Sequence, residues 1–260
     1  MEIFSMFVLF FIFGAVVGSF LNVCVYRLPA KVSIVWPPSH CPKCNNKIKW
    51  YDNIPILSYL ILGAKCRNCK EKISIQYPIV ELLTALLTTL FFFNFGMTTW
   101  TFCALFCLYV LITLSFIDLA TYTIPDILSI GLIFFGLAVC WLNPAFNGDW
   151  FDKFTSSITG ASVGFFGSWL LAIFCSALVK KEALGGGDIK LMGAIGALSG
   201  CMGMANALML ASLFGLIWFA ILGALKKTPE NGAIPFGPFL SLGLLINLLY
   251  PHFNLILIGV

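Results

Sequence analysis

Charged residues along this chain are gathered into short clusters. Between them lie long runs with no Asp, Glu, Lys or Arg, at residues 3–26, 82–117, 127–148, 154–179, 191–225 and 231–260. About 20 apolar residues carry a helix across a bilayer. The runs 82–117 and 191–225 are each long enough for two helices. Each holds a natural break, Asn94-Phe95-Gly96 in the first and Ser199-Gly200-Cys201-Met202-Gly203 in the second. The pattern therefore predicts eight transmembrane helices. Strands of a membrane barrel would alternate apolar and polar positions, and these runs do not. The expectation is an all-α integral membrane protein. It has a first transmembrane helix at 1–26, a cytoplasmic cysteine-rich domain at 27–77 and a seven-helix membrane domain at 78–260.

Composition agrees. Of 260 residues, 60% are hydrophobic and 10% charged, with a mean hydropathy of +0.98. A soluble domain of this size could not keep so much apolar surface from water. No basic segment precedes the first run, so 1–26 reads as a span with its N-terminus outside and not as a cleavable signal.

The positive charges orient the spans. With the N-terminus outside, the inner segments are 27–77, 118–126, 180–190 and 226–235, which hold nine, none, three and two Lys/Arg, fourteen of the fifteen in the chain. Lys153 alone falls outside. This is the asymmetry of the positive-inside rule, and both termini are expected on the outer side. The basic loop favours anionic lipid headgroups, and no nucleic-acid partner is expected.

Loop 27–77 is too short for a robust core of its own. It contains Cys41-Pro-Lys-Cys44, twenty-one further residues, and Cys66-Arg-Asn-Cys69. Two such pairs are the ligand pattern of a tetrahedral thiolate site, so Cys41, Cys44, Cys66 and Cys69 are expected to hold a structural metal, usually zinc. The alternatives are reduced thiol pairs without metal, or redox-active pairs. His40 is adjacent, but four cysteines suffice. Cys24, Cys103, Cys107, Cys140, Cys175 and Cys201 lie in spans and read as small packing residues.

Two aspartates then stand at the inner face. Asp118 ends the third span and Asp188 opens the sixth, after Gly185-Gly186-Gly187. Ionisable groups at a membrane boundary are costly and usually functional. Two carboxyl groups brought together can share one proton and activate water, as in an aspartic protease. A carboxylate at a helix C-terminus opposes the helix dipole, so something must compensate for Asp118. The bland reading is an interfacial Asp facing headgroup water. Asp126 follows Pro125 at a helix start, where an acid is favourable, and reads as structural with a supporting catalytic role as the alternative. Ile234-Pro235-Phe236-Gly237-Pro238 is either a plain helix start or unpaired backbone that lines a polar cavity or meets an extended peptide. Gly160, Gly164, Gly167, Gly193, Gly196 and Gly200 allow close helix packing. Phe91-Phe92-Phe93 reads as lipid-facing bulk. Besides a protease, a transporter whose aspartates bind cations, or an assembly scaffold, fits the bare pattern.

The joint order of these motifs resembles the type IV prepilin peptidase (type IV leader peptidase) family. Gly18-Ser19-Phe20-Leu21-Asn22-Val23 with Tyr26-Arg27-Leu28-Pro29 is similar to its N-terminal motif. The double Cys-x-x-Cys loop, Asp52-Asn53-Ile54-Pro55 and Tyr77-Pro78-Ile79-Val80-Glu81 resemble its cytoplasmic region. Asp118, Ile124-Pro125-Asp126, Gly185-Gly186-Gly187-Asp188-Ile189-Lys190 and Pro235-Phe236-Gly237-Pro238 resemble its protease half. The resemblance implies a bacterial inner-membrane enzyme with two activities. One cleaves prepilin or pseudopilin leaders at the cytoplasmic face. The other methylates the new N-terminus with S-adenosylmethionine. It implies Asp118 and Asp188 as the catalytic pair, with Gly185, Gly187, Asp126, Lys190, Pro235 and Gly237 in support. Lys65, Glu81 and Asn22 become candidates for methyl transfer, although Glu81 reads first as a boundary residue paired to a lysine. Many family members have glycine where this chain has Ala64, a departure that bears on methyl transfer.

Overall fold

The computed structural model describes residues 2–180, 184–226 and 234–251. Among these residues there is no strand, and β-pairing is confined to the isolated bridges His40–Lys47 and Lys65–Lys72. The chain forms two compact units, Met1–Thr113 and Leu114–Val260.

In the first unit α1 (Glu2–Arg27) leads into an irregular loop. The loop contains a 3₁₀ turn at Trp50–Asn53 and a short α2 (Leu57–Ile61), and is followed by α3 (Gln76–Phe95). α1 and α3 pack closely because small residues face each other. A Cβ added to Gly14 would sit 2.7 Å from Ala85 Cα, and one added to Gly18 would sit 2.7 Å from Glu81 Cα. Lower on the same face, Phe10 stacks on Phe92 with ring centroids 3.7 Å apart. The phenylalanine run expected to face lipid therefore needs correction. Phe91 and Phe92 are buried and only Phe93 is exposed, because a helix turns successive residues about 100° apart and a run of three cannot share one face. α3 stops at Gly96 (φ +63), at the break expected from the sequence.

α4 (Thr99–Thr121) carries the chain into the second unit. There follow α5 (Asp126–Val139), α6 (Trp150–Ser162), a π-turn at Val163–Gly167, α7 (Ser168–Val179), α8 (Gly186–Ala224) and α9 (Gly237–Leu249). α8 is the hub, with α5, α6 and α9 packed on it. As expected, glycine makes the tightest contacts: Gly160 and Gly196 approach so closely that a Cβ on either would overlap the other's carbonyl.

α8 is not one straight helix. Gly200 has φ +69 and ψ −176, outside any helical region. A break there removes the N–H partners that the preceding carbonyls would find one turn on. Two side chains from neighbouring elements replace them: Ser157 Oγ donates to the Ala197 carbonyl at 2.6 Å, and Asn143 Nδ2 to the Leu198 carbonyl at 2.6 Å. In an apolar setting an unpaired carbonyl would cost several kcal/mol, so the kink and its two polar partners belong together.

Five helices are long and apolar enough to cross a membrane, namely Phe4–Arg27, Gln76–Phe95, Thr99–Thr121, Trp150–Leu178 and Gly186–Ala224. Asp126–Leu142 and Gly237–Leu249 are shorter apolar helices. Divided at Gly200, α8 supplies two segments, so eight apolar helical segments lie among the described residues. Large apolar side chains such as Phe166, Trp169, Leu170 and Phe174 are exposed on the outer surface, as lipid contact requires. Cys24, Cys107 and Cys140 are buried as packing residues, whereas Cys201 is exposed. The end of the expected run 231–260, with the expected outer C-terminus, lies outside the described residues, as do Lys181 and Lys227.

Only glycine occupies the Gly200 region of φ/ψ space without strain. Gly200→Ala is expected to destabilise the protein by about 1–3 kcal/mol, read as a lowered unfolding midpoint in detergent. An unchanged midpoint would contradict the kink.

Candidate active site and thiolate cluster

Asp118 lies in the last turn of α4 and is 5% exposed. The turn that ends this helix is closed by Tyr122 in the left-handed conformation (φ +54), whose N–H donates to the Asp118 carbonyl at 2.8 Å. The required compensation comes from another helix. Gly237, first residue of α9, donates its N–H to Asp118 Oδ2 at 2.9 Å. That N–H is one of the unpaired donors of a helix N-terminus, where the dipole favours negative charge. The position has no room for a side chain: a Cβ on Gly237 would lie 2.8 Å from Asp118 Oδ2 and 3.1 Å from Ile124 Cδ1. Pro235 precedes this start in irregular backbone, and Pro238 occupies the first turn. The proline segment is thus a helix start whose free N–H has a definite target.

Asp188 is the third residue of α8, and its carboxyl turns back toward the Gly185 N–H at the cap, half of a capping box. Gly187 lets the α8 terminus close on the loop after α4, since a Cβ there would lie 2.7 Å from Ile124 Cβ. Ile124 therefore touches both Gly187 and Gly237. Through Ile124, the α8 terminus that bears Asp188 and the α9 terminus that holds Asp118 are drawn to one place. Asp126 starts α5 and pairs with Lys190 Nζ at 2.6 Å. Their side chains are 62% and 30% exposed, so this pair contributes at most about 1 kcal/mol. It pins α5 to the first turn of α8, beside Asp188. Asp118, Asp126, Gly185, Gly187, Asp188, Lys190 and Gly237 are thus brought together. The sequence reading missed Ile124 as the wedge; as an isolated isoleucine beside Pro125 it carries no polar signal.

The thiolate cluster belongs to the first unit. Both Cys-x-x-Cys segments adopt the same backbone. Cys41 N–H donates to Asn46 O and Asn45 N–H to Cys41 O; Cys66 N–H donates to Glu71 O and Lys70 N–H to Cys66 O. Asn45 and Lys70 are both left-handed. The four sulfurs lie within 4.8 Å of one another, and Cys41 Sγ is 3.8 Å from Cys69 Sγ. Tetrahedral zinc with sulfurs at about 2.3 Å needs sulfurs about 3.8 Å apart, so the donor set fits a metal ion. Backbone N–H groups of Cys69 and Asn68 draw the Cys66 thiol down to about 7. Cys69 is pushed up to about 11: the Glu71 N–H pulls it down, but burial and the hydrogen-bonded thiols of Cys66, Cys44 and Cys41 outweigh it. A bound metal would displace the protons that these thiols carry. His40 turns instead to the Pro38 carbonyl at 3.1 Å. Arg67 braces the second knuckle by a two-pronged contact with Asp52, at 2.8 Å through Nε and 2.6 Å through Nη2, which holds the Asp52 carboxyl below its usual range.

Ala64, where the resemblance leads one to expect glycine, has φ +59. Its N–H still reaches the Tyr59 carbonyl at 2.9 Å, and its carbonyl accepts from Ile73 N–H at 2.8 Å. Alanine keeps the loop geometry at the expense of about 1 kcal/mol of strain. Of the methyl-transfer candidates, Asn22 donates to the Gly18 and Tyr77 carbonyls between α1 and α3. Glu81 has no lysine partner among the described residues, a correction to the boundary-pair reading. Its Oε2 accepts from Ile56 N–H at 2.7 Å. Lys65 stands apart, exposed in the second knuckle.

Against this geometry, two family descriptions match the chain: "Bacterial Peptidase A24 N-terminal domain" over residues 12–95 and "Type IV leader peptidase family" over residues 105–220. A Prepilin leader peptidase/N-methyltransferase of Pectobacterium carotovorum is 35% identical over 94% of this chain and 93% of its own. A Type 4 prepilin-like proteins leader peptide-processing enzyme of Escherichia coli is 36% identical, covering 88% of each chain. A Prepilin leader peptidase/N-methyltransferase of Pseudomonas aeruginosa is 34% identical over 91% of this chain and 88% of its own. No solved structure matches.

The cluster predicts about one zinc per purified chain by elemental analysis. Cys41→Ser with Cys66→Ser should remove it and leave the loop open to proteolysis. A metal-free wild type with a protease-resistant loop would contradict a structural metal.

Proposed function

Because the chain belongs to the type IV leader peptidase family, we propose that it is a membrane aspartic endopeptidase and N-methyltransferase. It cleaves the leader from type IV prepilins or pseudopilins and then methylates the new N-terminal amine. Family membership sets aside the transporter and scaffold readings. We place the enzyme in the bacterial inner membrane with eight crossings, both termini outside, and the aspartates and thiolate loop at the cytoplasmic face. The charge asymmetry of the loops supports this orientation.

The observation that carries the protease half is the hydrogen bond from Gly237 N–H to the buried Asp118 carboxyl, in the same cluster as Asp188. In this reading a water lies between the two aspartates, which share one proton. The ionised carboxylate takes a proton from the water as its oxygen attacks the scissile carbonyl carbon. The protonated carboxyl donates to the carbonyl oxygen. Collapse of the tetrahedral carbon breaks the C–N bond: the departing amine receives the proton held by the base, and one hydroxyl of the diol returns its proton to the other aspartate, which restores the shared proton. Gly237 fixes the Asp118 rotamer through this cycle, while Gly185 and Gly187 let the α8 terminus close on it. Asp126 and Lys190 position the mouth.

For the second half, S-adenosylmethionine would supply an electrophilic methyl group. The chain's task is to bring the new amine to it in the correct orientation. Cys41, Cys44, Cys66 and Cys69 would hold a zinc ion whose part in this scheme would be structural. So held, the four cysteines would fix the loop that α1 and α3 flank.

Asp118→Asn and Asp188→Asn should each lower leader cleavage by at least about a hundred-fold, with membrane insertion intact and methylation of a pre-cleaved pilin retained. Normal processing by either variant would overturn the dyad. Gly237→Ala should lower kcat for cleavage about ten-fold, or ~1.4 kcal/mol, with KM little changed. Steady-state assay on a prepilin peptide reads both.

A further inference from the structure

Arg27 closes α1 and is 7% exposed. Its guanidinium donates through Nη1 to the Ser33 carbonyl at 2.9 Å and through Nη2 to the Pro37 carbonyl at 2.6 Å. Among the described residues no carboxylate pairs with it; the ion pairs found are Arg67–Asp52 and Lys190–Asp126. Carbonyls satisfy N–H groups but bring no opposite charge, and a buried cation without a counter-ion costs several kcal/mol. The guanidinium has five donors, so some remain for another acceptor.

That acceptor has a place. Arg27 lines a cavity of about 300 Å³, at the lower end of small-molecule sites. Val16, Ser19 and Val23 of α1 form one side, and Val35, Asn53 and Pro55 form others. Apolar walls with a few convergent polar groups are what such sites have in common. The wall at Pro55 is built with strain. Ile56 has φ +62 and ψ −51, and Leu57 N–H closes a γ-turn on the Pro55 carbonyl at 2.6 Å. A β-branched residue there is an outlier. Glu81, buried and hydrogen-bonded to Ser19, holds this turn through the Ile56 N–H at 2.7 Å. Strain of this kind gathers at ligand sites, and here the turn holds Pro55 against the cavity. Glu81 is not the missing counter-ion: its carboxylate is held by Ile56 N–H and Ser19, and among the described residues no ion pair joins it to Arg27.

We infer that this cavity seats the methyl donor, with Arg27 taking its carboxylate and the rest of the molecule running along α1 toward Ser19. The inference rests on the methyltransferase half of the proposed function. A lipid phosphate offers the same anionic chemistry, and the test separates the two sources.

The experiment titrates S-adenosylhomocysteine, and separately adenosine, into the full chain by calorimetry. Arg27→Gln should weaken S-adenosylhomocysteine about ten- to a hundred-fold and leave adenosine, which lacks the carboxylate, within about two-fold. Val23→Phe keeps Arg27 but fills the cavity, and should weaken both. Equal binding of S-adenosylhomocysteine by wild type and Arg27→Gln overturns the inference. If Arg27→Gln does not fold, undiminished binding by Val23→Phe overturns it. In nanodiscs, equal affinity in phosphatidylcholine and phosphatidylglycerol supports the donor. Competition by phosphatidylglycerol that disappears in Arg27→Gln assigns the cation to lipid phosphate and overturns it. Arg27-dependent binding in a wild type that methylates no processed pilin supports this inference while removing the functional reading on which the donor was named.

Discussion

A carboxylate in the last turn of a helix faces the negative end of the dipole, and burial adds to the difficulty. Asp118 is in both situations, and the hydrogen bond from Gly237 N–H is what makes its position tenable. The C-terminal end of α4 meets the N-terminal end of α9, so an unfavourable dipole is answered by a favourable one. Much of the neighbouring geometry follows from that meeting. The absence of a side chain at Gly237, the bareness of Gly187 against Ile124 and the left-handed Tyr122 all serve to bring these ends together.

The apolar interior of the second unit shows the same economy with polar groups. The break in α8 would leave carbonyls without partners, and Ser157 and Asn143 are the two side chains that meet them. These residues look incidental in α6 and in the turn after α5 until the kink is seen. Because α5, α6 and α9 all rest on α8, the kink gives the hub two differently directed faces within one element. The half near Gly186 carries the acid, and the half beyond Gly200 receives Gly243 of α9 against Ala207.

The helical class was legible because charge-free runs of this length permit little else, and the breaks at Gly96 and Gly200 were legible because glycine interrupts both runs. The four thiols were legible from spacing alone, and the acids from their scarcity. What was hidden lay in relations between distant segments. Nothing about Gly237 announces that its N–H would find Asp118. The orientation of Phe91 and Phe92 depends on which face α1 covers. Glu81 gave no sign that it would seize a backbone N–H in place of a lysine. Arg27 was hidden differently, since a basic residue just past an apolar run is indistinguishable from an ordinary marker of membrane orientation.

The partner that Asp118 requires comes from the ninth helix, more than a hundred residues later in synthesis. A nascent chain that has inserted α4 through α8 already carries both acids, yet lacks the group that steadies one of them. On the proposed mechanism, hydrolytic competence should therefore arise only once α9 has been made and has docked. Truncated translation products left in the membrane would then be idle and would not act as stray proteases.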